Sequence, residues 1–294
     1  MPSLKSIRTQ IASKKSTQKI TRAMKLVSAA KLRGAQDAIL AARPYANALV
    51  EAIAQVSARA GADAHPLLEH REPKRITLIP VTSDRGLAGG FNANIIRAVQ
   101  RYVNEHADAE VTLEIVGKKG RDYFRRRKLA VRHELSGASG PTAQELARQV
   151  ASIAVDAFTT GKTDAVFVLY NEFKSAVQQR VVIEPLLPVT ASQVLSAAPA
   201  HASQEAKVID FAYEPSKQEL LDALLPQFIE SQVYRALLES VASEFGARMT
   251  AMENATNNAK EMIADLTLKY NRVRQAAITK ELMEIVSGAE ALKG

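Results

Sequence analysis

ARMTAMENATNNAKEMIADLTLKYNRVRQAAITKELMEIVSGAEAL, residues 247–292, is the stretch whose spacing decides the fold. Counting from just before it, Phe245, Met249, Met252, Thr256, Ala259, Ile263, Leu266, Tyr270, Val273 and Ala277 follow one another in alternating steps of four and three. The average is close to 3.5 residues, the repeat of a coiled coil. Thr256 alone breaks the apolar character of the seam. No Pro or Gly falls between Ala247 and Ser287. Upstream the helical period begins near Ser216, where Ser216 and Glu219 have the spacing of a capping box. The pattern predicts one helix from about Ser216 to Val286, more than ~100 Å long. Pro226 predicts a bend near its start.

A helix of this length cannot stand alone in water and must bury its stripe on something. The other end of the chain offers a partner. From Ser3, a suitable N-cap, to about Ser57 there is one Pro and one Gly. Apolar residues fall at helical steps: Leu4, Ile7, Ile11, Ile20, Met24, Val27, Ile39, Leu49, Ile53 and Val56. Pro44 predicts a kink near Arg43. Residues 1–36 carry nine cations, Lys5 to Arg33, and no acid, whereas residues 217–294 hold 9 basic and 11 acidic side chains. That complementarity favours an antiparallel pair of the two ends.

The middle reads as α/β. Arg75–Ser83 and Asp164–Tyr170 are apolar and β-branched, the pattern of buried strands. Between them fall a helix at 92–105, a strand at 111–116, a short basic helix at 120–127, a strand at 129–133 and a helix at 142–158. Thr142 and Glu145 have capping-box spacing. Residues 178–183 alternate, as an antiparallel edge strand would. Strands alternating with helices predict a mostly parallel, Rossmann-like sheet. The Ala-, Ser- and Pro-rich run 189–206 predicts a linker. The expected organisation is 1–58 and 216–294 as coiled-coil helices, with an α/β domain at 74–210.

Composition excludes much. The 294 residues include no Cys and carry a formal charge of +8. There is thus no disulfide scaffold, thiolate metal site or Cys nucleophile. No apolar run reaches the ~20 residues of a membrane span, and the N-terminus lacks a signal-peptide core. The loop SDRGLAGGF, 83–91, follows a strand and precedes a helix but lacks the glycine spacing of a dinucleotide fingerprint and the Lys of a P-loop. The five His show no metal-ligand spacing, and no pair of carboxylates suggests an acid and a base. These features predict a chain without catalytic residues, cofactor or metal. The cations of residues 1–36 and of the run Lys118–Arg132 leave a nucleic-acid-binding coiled coil as an alternative, although no aromatic precedes Tyr45 for base stacking. A small enzyme on the α/β segment is the third reading.

Four segments are specific. SLKSIRTQIAS with TQKITRAMKLVSAAKLR, the C-terminal run quoted above, SDRGLAGGFN and FAYEP at 211–215 resemble the gamma subunit of F-type ATP synthase, over essentially the whole chain. The resemblance implies a non-catalytic rotor shaft turning inside three alpha and three beta subunits. It implies beta-subunit contacts at Met24, Arg248, Gln275, Thr279 and Glu281. It places a low-friction bearing on Leu282, Ile285, Val286 and Leu292, and contacts with epsilon and the membrane c-ring on Phe211, Tyr213 and Glu214. It implies proton coupling and a position on the cytoplasmic face of a bacterial membrane, without insertion. The absence of Cys sets the chain apart from the thiol-regulated chloroplast branch.

Overall fold

The computed structural model describes residues 3–57, 65–127, 129–140, 142–190 and 216–291. They fall into two compact units. One joins residues up to Ser28 with those from Met249 onward, and the other is Ala29–Arg248. Helix α1, Leu4–Ser57, and helix α5, Lys217–Ala291, each contribute to both. Neither Pro44 nor Pro226 interrupts its helix. Ser3 caps α1, with Ser6 N–H donating to its hydroxyl at 3.2 Å. Ser216 caps α5 by accepting from the Glu219 N–H at 3.2 Å.

In the first unit the two helices form an antiparallel coiled coil. Its register is set by Arg8 against Tyr270, Thr21 against Thr256 and Lys25 against Glu253. On α5 the seam read from the sequence is correct: from Met249 to Ala277 each of its positions is buried or half-buried while most neighbours are exposed. On α1 the reading needs correction. Ile20 and Val27 are 57% and 56% exposed, and the seam runs instead through Gln18, Thr21, Met24, Lys25 and Ser28. Thr21 explains why Thr256 breaks the apolar seam. The two hydroxyls meet at 2.7 Å, so one donates to the other while the second donates to a carbonyl of its own helix, Gln18 or Met252. A polar pair whose hydrogen bonds are all made costs little when buried, so this part of the stripe has no need of large apolar residues. Charge complementarity holds at Lys25–Glu253, 2.7 Å apart, whereas Lys5, Lys15, Lys19 and Arg22 stay exposed.

The second unit is built on a five-stranded sheet ordered β3-β2-β1-β4-β5. The strands are β1 Arg75–Pro80, β2 Glu110–Val116, β3 Ala130–Leu135, β4 Ala165–Phe173 and β5 Gln179–Leu187. The first four are parallel, and β5 returns antiparallel along β4. Helices α2, Phe91–Glu105, and α3, Lys118–Phe124, cover one face through Ile95, Val99, Tyr102 and Phe124. The other face packs against α4, Ala143–Thr159, together with Leu49, Val50 and Ile53 of α1 and Leu221 to Leu237 of α5. The alternation of helix and strand therefore yields the expected doubly covered sheet. One local expectation fails. Thr142 does not cap α4: its backbone is helical and its hydroxyl donates to the Gly137 carbonyl at 3.2 Å, while Glu145 pairs with Arg148.

Candidate functional site

Sheets of this kind bind ligands beyond the carboxyl ends of the strands, where the strand order reverses. Here that point lies between β1 and β4, and the loop after β1 is SDRGLAGGF. The chain fills the place itself. The Asp84 carboxylate accepts from Lys118 N–H at the start of α3 and from Gly137 N–H, both at 3.0 Å. The Asp84 carboxylate thus ties together the segments that follow β2 and β3, on the side of β1 away from β4. Ser83 and Asn92 satisfy one another across the loop, with Ser83 N–H donating to Asn92 Oδ1 at 2.9 Å. From the other side α5 closes the crevice. Ser243 donates to the Asn171 carbonyl at 2.8 Å. Arg248 donates to the Gly86 carbonyl at 3.2 Å and the Arg85 carbonyl at 3.4 Å. The Gly86 and Arg85 carbonyls of the loop thus face the Arg248 guanidinium. The tip of the loop is exposed at Leu87, which has φ 66°.

Arg248 also forms an ion pair with Glu244 at 2.7 Å, both side chains being 8% exposed. Burial pushes the Glu244 carboxyl upward, and Arg248 pulls it back. Arg248, which the family resemblance singles out as a beta contact, is bonded within its own unit in this chain, tying α5 to the β1–α2 loop. Asp84, Ser243 and Glu244 were not among the residues the sequence singled out. The glycines beside Asp84 were the available signal, and Ser243 and Glu244 carried none.

The remaining candidates lie on the coiled coil. Met24 is half-buried in the seam. Gln275, Thr279, Glu281, Leu282, Ile285 and Val286 are exposed, the last three at 57%, 68% and 56%. The register explains the change. Arg8 lies against Tyr270 and α1 begins at Leu4, so α5 outlasts the described part of its partner from about Gln275. Its last half-buried position is Ala277, and Ile278 and Met283 join the exposed apolar residues beyond it. Because the described part of this tail buries almost nothing, removing residues 275–294 should leave the denaturant midpoint of the chain unchanged within error. A clear loss of stability would show that the tail packs somewhere. Phe211, Tyr213, Glu214 and Leu292 lie outside the described residues. Among the described residues no three acidic or His side chains could share a metal ion, and no helix is long and apolar enough to cross a membrane.

The family described as ATP synthase matches residues 3–292. An ATP synthase gamma chain from Anaeromyxobacter sp. (strain Fw109-5) is 55% identical over 298 residues, covering all of both chains. One from Geobacter metallireducens is 48% identical, again over the whole of both. Among solved structures, the central stalk and c-ring of the Tetrahymena thermophila mitochondrial ATP synthase contains a similar chain with TM-score 0.59 and 29% identity, covering 80% of this chain and 99% of that one. A chain of the Euglena gracilis mitochondrial ATP synthase, rotational state 3, superposes with TM-score 0.66 at 21% identity over 98% of this chain and 94% of that one, which is a likeness of fold.

Proposed function

Because the chain belongs to the ATP synthase gamma-chain family, we propose that it is the central-stalk rotor of a proton-translocating F-type ATP synthase, coupling c-ring rotation to nucleotide chemistry on the beta subunits. The observation that carries the reading is the coiled coil whose C-terminal helix outlasts its partner. It offers a paired, asymmetric shaft followed by a single helix with apolar side chains on several faces. An asymmetric shaft touches three surrounding beta subunits differently at any one angle. Each beta subunit then favours a different nucleotide state, a population shift driven by differential contact. The work comes from ion movement at about 2.3 kcal/mol per charge per 100 mV. The chain contributes no catalytic side chain and needs no cofactor for this task.

The partners are three alpha and three beta subunits, epsilon and the c-ring. The beta contacts fall on Met24, Gln275, Thr279 and Glu281. Arg248 is a further beta contact, made beside its pairing with Glu244. Leu282, Ile285, Val286 and Leu292 form the bearing, where apolar surface slides without hydrogen bonds to break. Phe211, Tyr213 and Glu214 meet epsilon and the c-ring from the α/β segment 74–210. The protein sits peripherally, on the cytoplasmic face of a bacterial plasma membrane. Exposed charge contacts worth ~0–1 kcal/mol apiece let the shaft turn without being trapped.

Reconstitution tests the proposal. The purified chain alone should hydrolyse no ATP, yet with isolated alpha and beta subunits it should restore rotation-coupled hydrolysis. Failure to assemble would sink it. Met24→Lys should leave assembly intact and lower coupling. A Lys here can form an ion pair with an acidic surface that must break at each step, whereas Met slides past. Normal proton pumping per ATP hydrolysed in that variant would refute the Met24 contact.

A further inference from the structure

At the β3 edge of the sheet the pairing of β2 with β3 slips. Val131 stands opposite Leu113, but His133 stands opposite Glu114, so Arg132 is an extra residue. In a regular strand Arg132 and His133 would point to opposite faces. Here both approach one carboxylate oxygen, His133 Nδ1 at 3.6 Å and Arg132 Nη1 at 4.0 Å from Glu114 Oε1. Bulges are uncommon between parallel strands and serve to re-aim side chains. The Glu114 side chain is 1% exposed, and no protein donor hydrogen-bonds either of its oxygens. It ends in a cavity of about 260 Å³ on the α4 side of the sheet, where Ser152 and Asp156 of α4 and Lys162 complete the polar lining. Asp156 and Lys162 face one another at 3.6 Å and are largely exposed, so they neutralise each other.

A carboxylate this deep, without hydrogen bonds, is costly to keep ionised. The two cation-forming side chains that the bulge brings to it stop just beyond hydrogen-bond length. We infer that Glu114, with His133 and Arg132 set beside it by the bulge, forms a proton-binding site whose proton sits on the Glu114 carboxyl and is released as the pH rises. The site lies on an edge strand, held by the sheet on one side only, so its charge state bears on how firmly β3 is seated.

Burial pushes the Glu114 carboxyl above its ordinary range, and His133 and Arg132 oppose that rise without cancelling it. The folded chain therefore holds a proton that the unfolded chain has lost. The stability this contributes is fully present below the unfolded value of about 4.3 and disappears as the pH rises through the folded one. Glu114→Gln keeps the shape and stays neutral, so it lacks that decline.

The full-length chain tests this in two ways. In denaturant unfolding between pH 5 and pH 9, the wild type should lose stability relative to Glu114→Gln as the pH rises. His133→Gln should move that loss to higher pH, because a group that stabilises the carboxylate is gone. By NMR, the Glu114 side-chain carboxyl of the wild type should titrate above the ordinary value of about 4.3. Parallel pH profiles for wild type and Glu114→Gln, or a carboxyl that titrates at or below the ordinary value, would overturn the inference. If Glu114→Gln does not fold, the wild-type carboxyl titration alone decides.

Discussion

Arg248→Ala is expected to lower the stability of the chain by about 3–5 kcal/mol, the cost of removing one partner from a buried ion pair. Both members are 8% exposed, so Glu244 would be left without its cation and out of water. The Gly86 carbonyl would lose its Arg248 donor as well, while the Arg85 carbonyl keeps the Ser83 hydroxyl. Glu244, already pushed upward by burial, would rise further without Arg248. Its neutral form is the one a buried site tolerates, so the deficit should shrink as the pH falls from 8 to 5. Denaturant midpoints of the two chains across that range check both parts. A loss below ~1 kcal/mol, the usual worth of a surface pair, would mean that Arg248 does not anchor the β1–α2 loop. The consequence for function would follow from the same contact, since the loop would no longer be tied to α5.

Gly117→Ala should be nearly as damaging, for a steric reason. Gly117 has φ 98°, and a Cβ there would lie 2.1 Å from the Thr82 carbonyl oxygen and 2.7 Å from its hydroxyl. Neither neighbour is free to retreat. Thr82 N–H donates to Val116 O at 2.8 Å, Thr82 Oγ1 donates to the same oxygen at 2.9 Å, and Gly117 N–H donates to Leu135 O at 2.8 Å. This is where the ends of β1, β2 and β3 are sewn together. Left-handed strain and overpacking against backbone together predict a loss of at least ~3 kcal/mol. Gly161→Ala is the control. Its φ is 69°, but nothing lies within 4 Å of the added Cβ, so only the conformational cost of about 1 kcal/mol applies. Equal losses at the two positions would show that the close approach at Gly117 is not what requires glycine.

How far the sequence could be read depended on what each element buries. The α5 seam was legible because its positions repeat at one period and are apolar throughout, apart from Thr256. The same rule misread Ile20 and Val27 on α1, where the seam is carried by Gln18, Thr21 and Ser28. Polar seam residues are recognisable only beside their partners, and the partner of Thr21 is 235 residues away in the chain. Thr142 failed as a cap for a related reason: its hydroxyl goes to Gly137, a choice made by the β3–α4 loop and not by local spacing. The strands of the sheet were legible because burial on both faces demands continuous apolar runs.

The class of the molecule follows from linear properties of the chain. Helical periodicity at both ends, alternating strands and helices between them, and the motifs of the gamma-chain family are all local or linear properties, and physical chemistry acts on them the same way wherever the segment ends up. Folding alone settles the places where distant segments compete for one group. Asp84 ties the segments after β2 and β3 together, and Arg248 turns inward to Glu244 and the loop carbonyls. The slipped pairing of β2 and β3 sets Arg132 and His133 beside one buried carboxylate. Each of these depends on desolvation and on distances of a few ångströms between residues far apart in the chain, and spacing along the sequence carries no record of either.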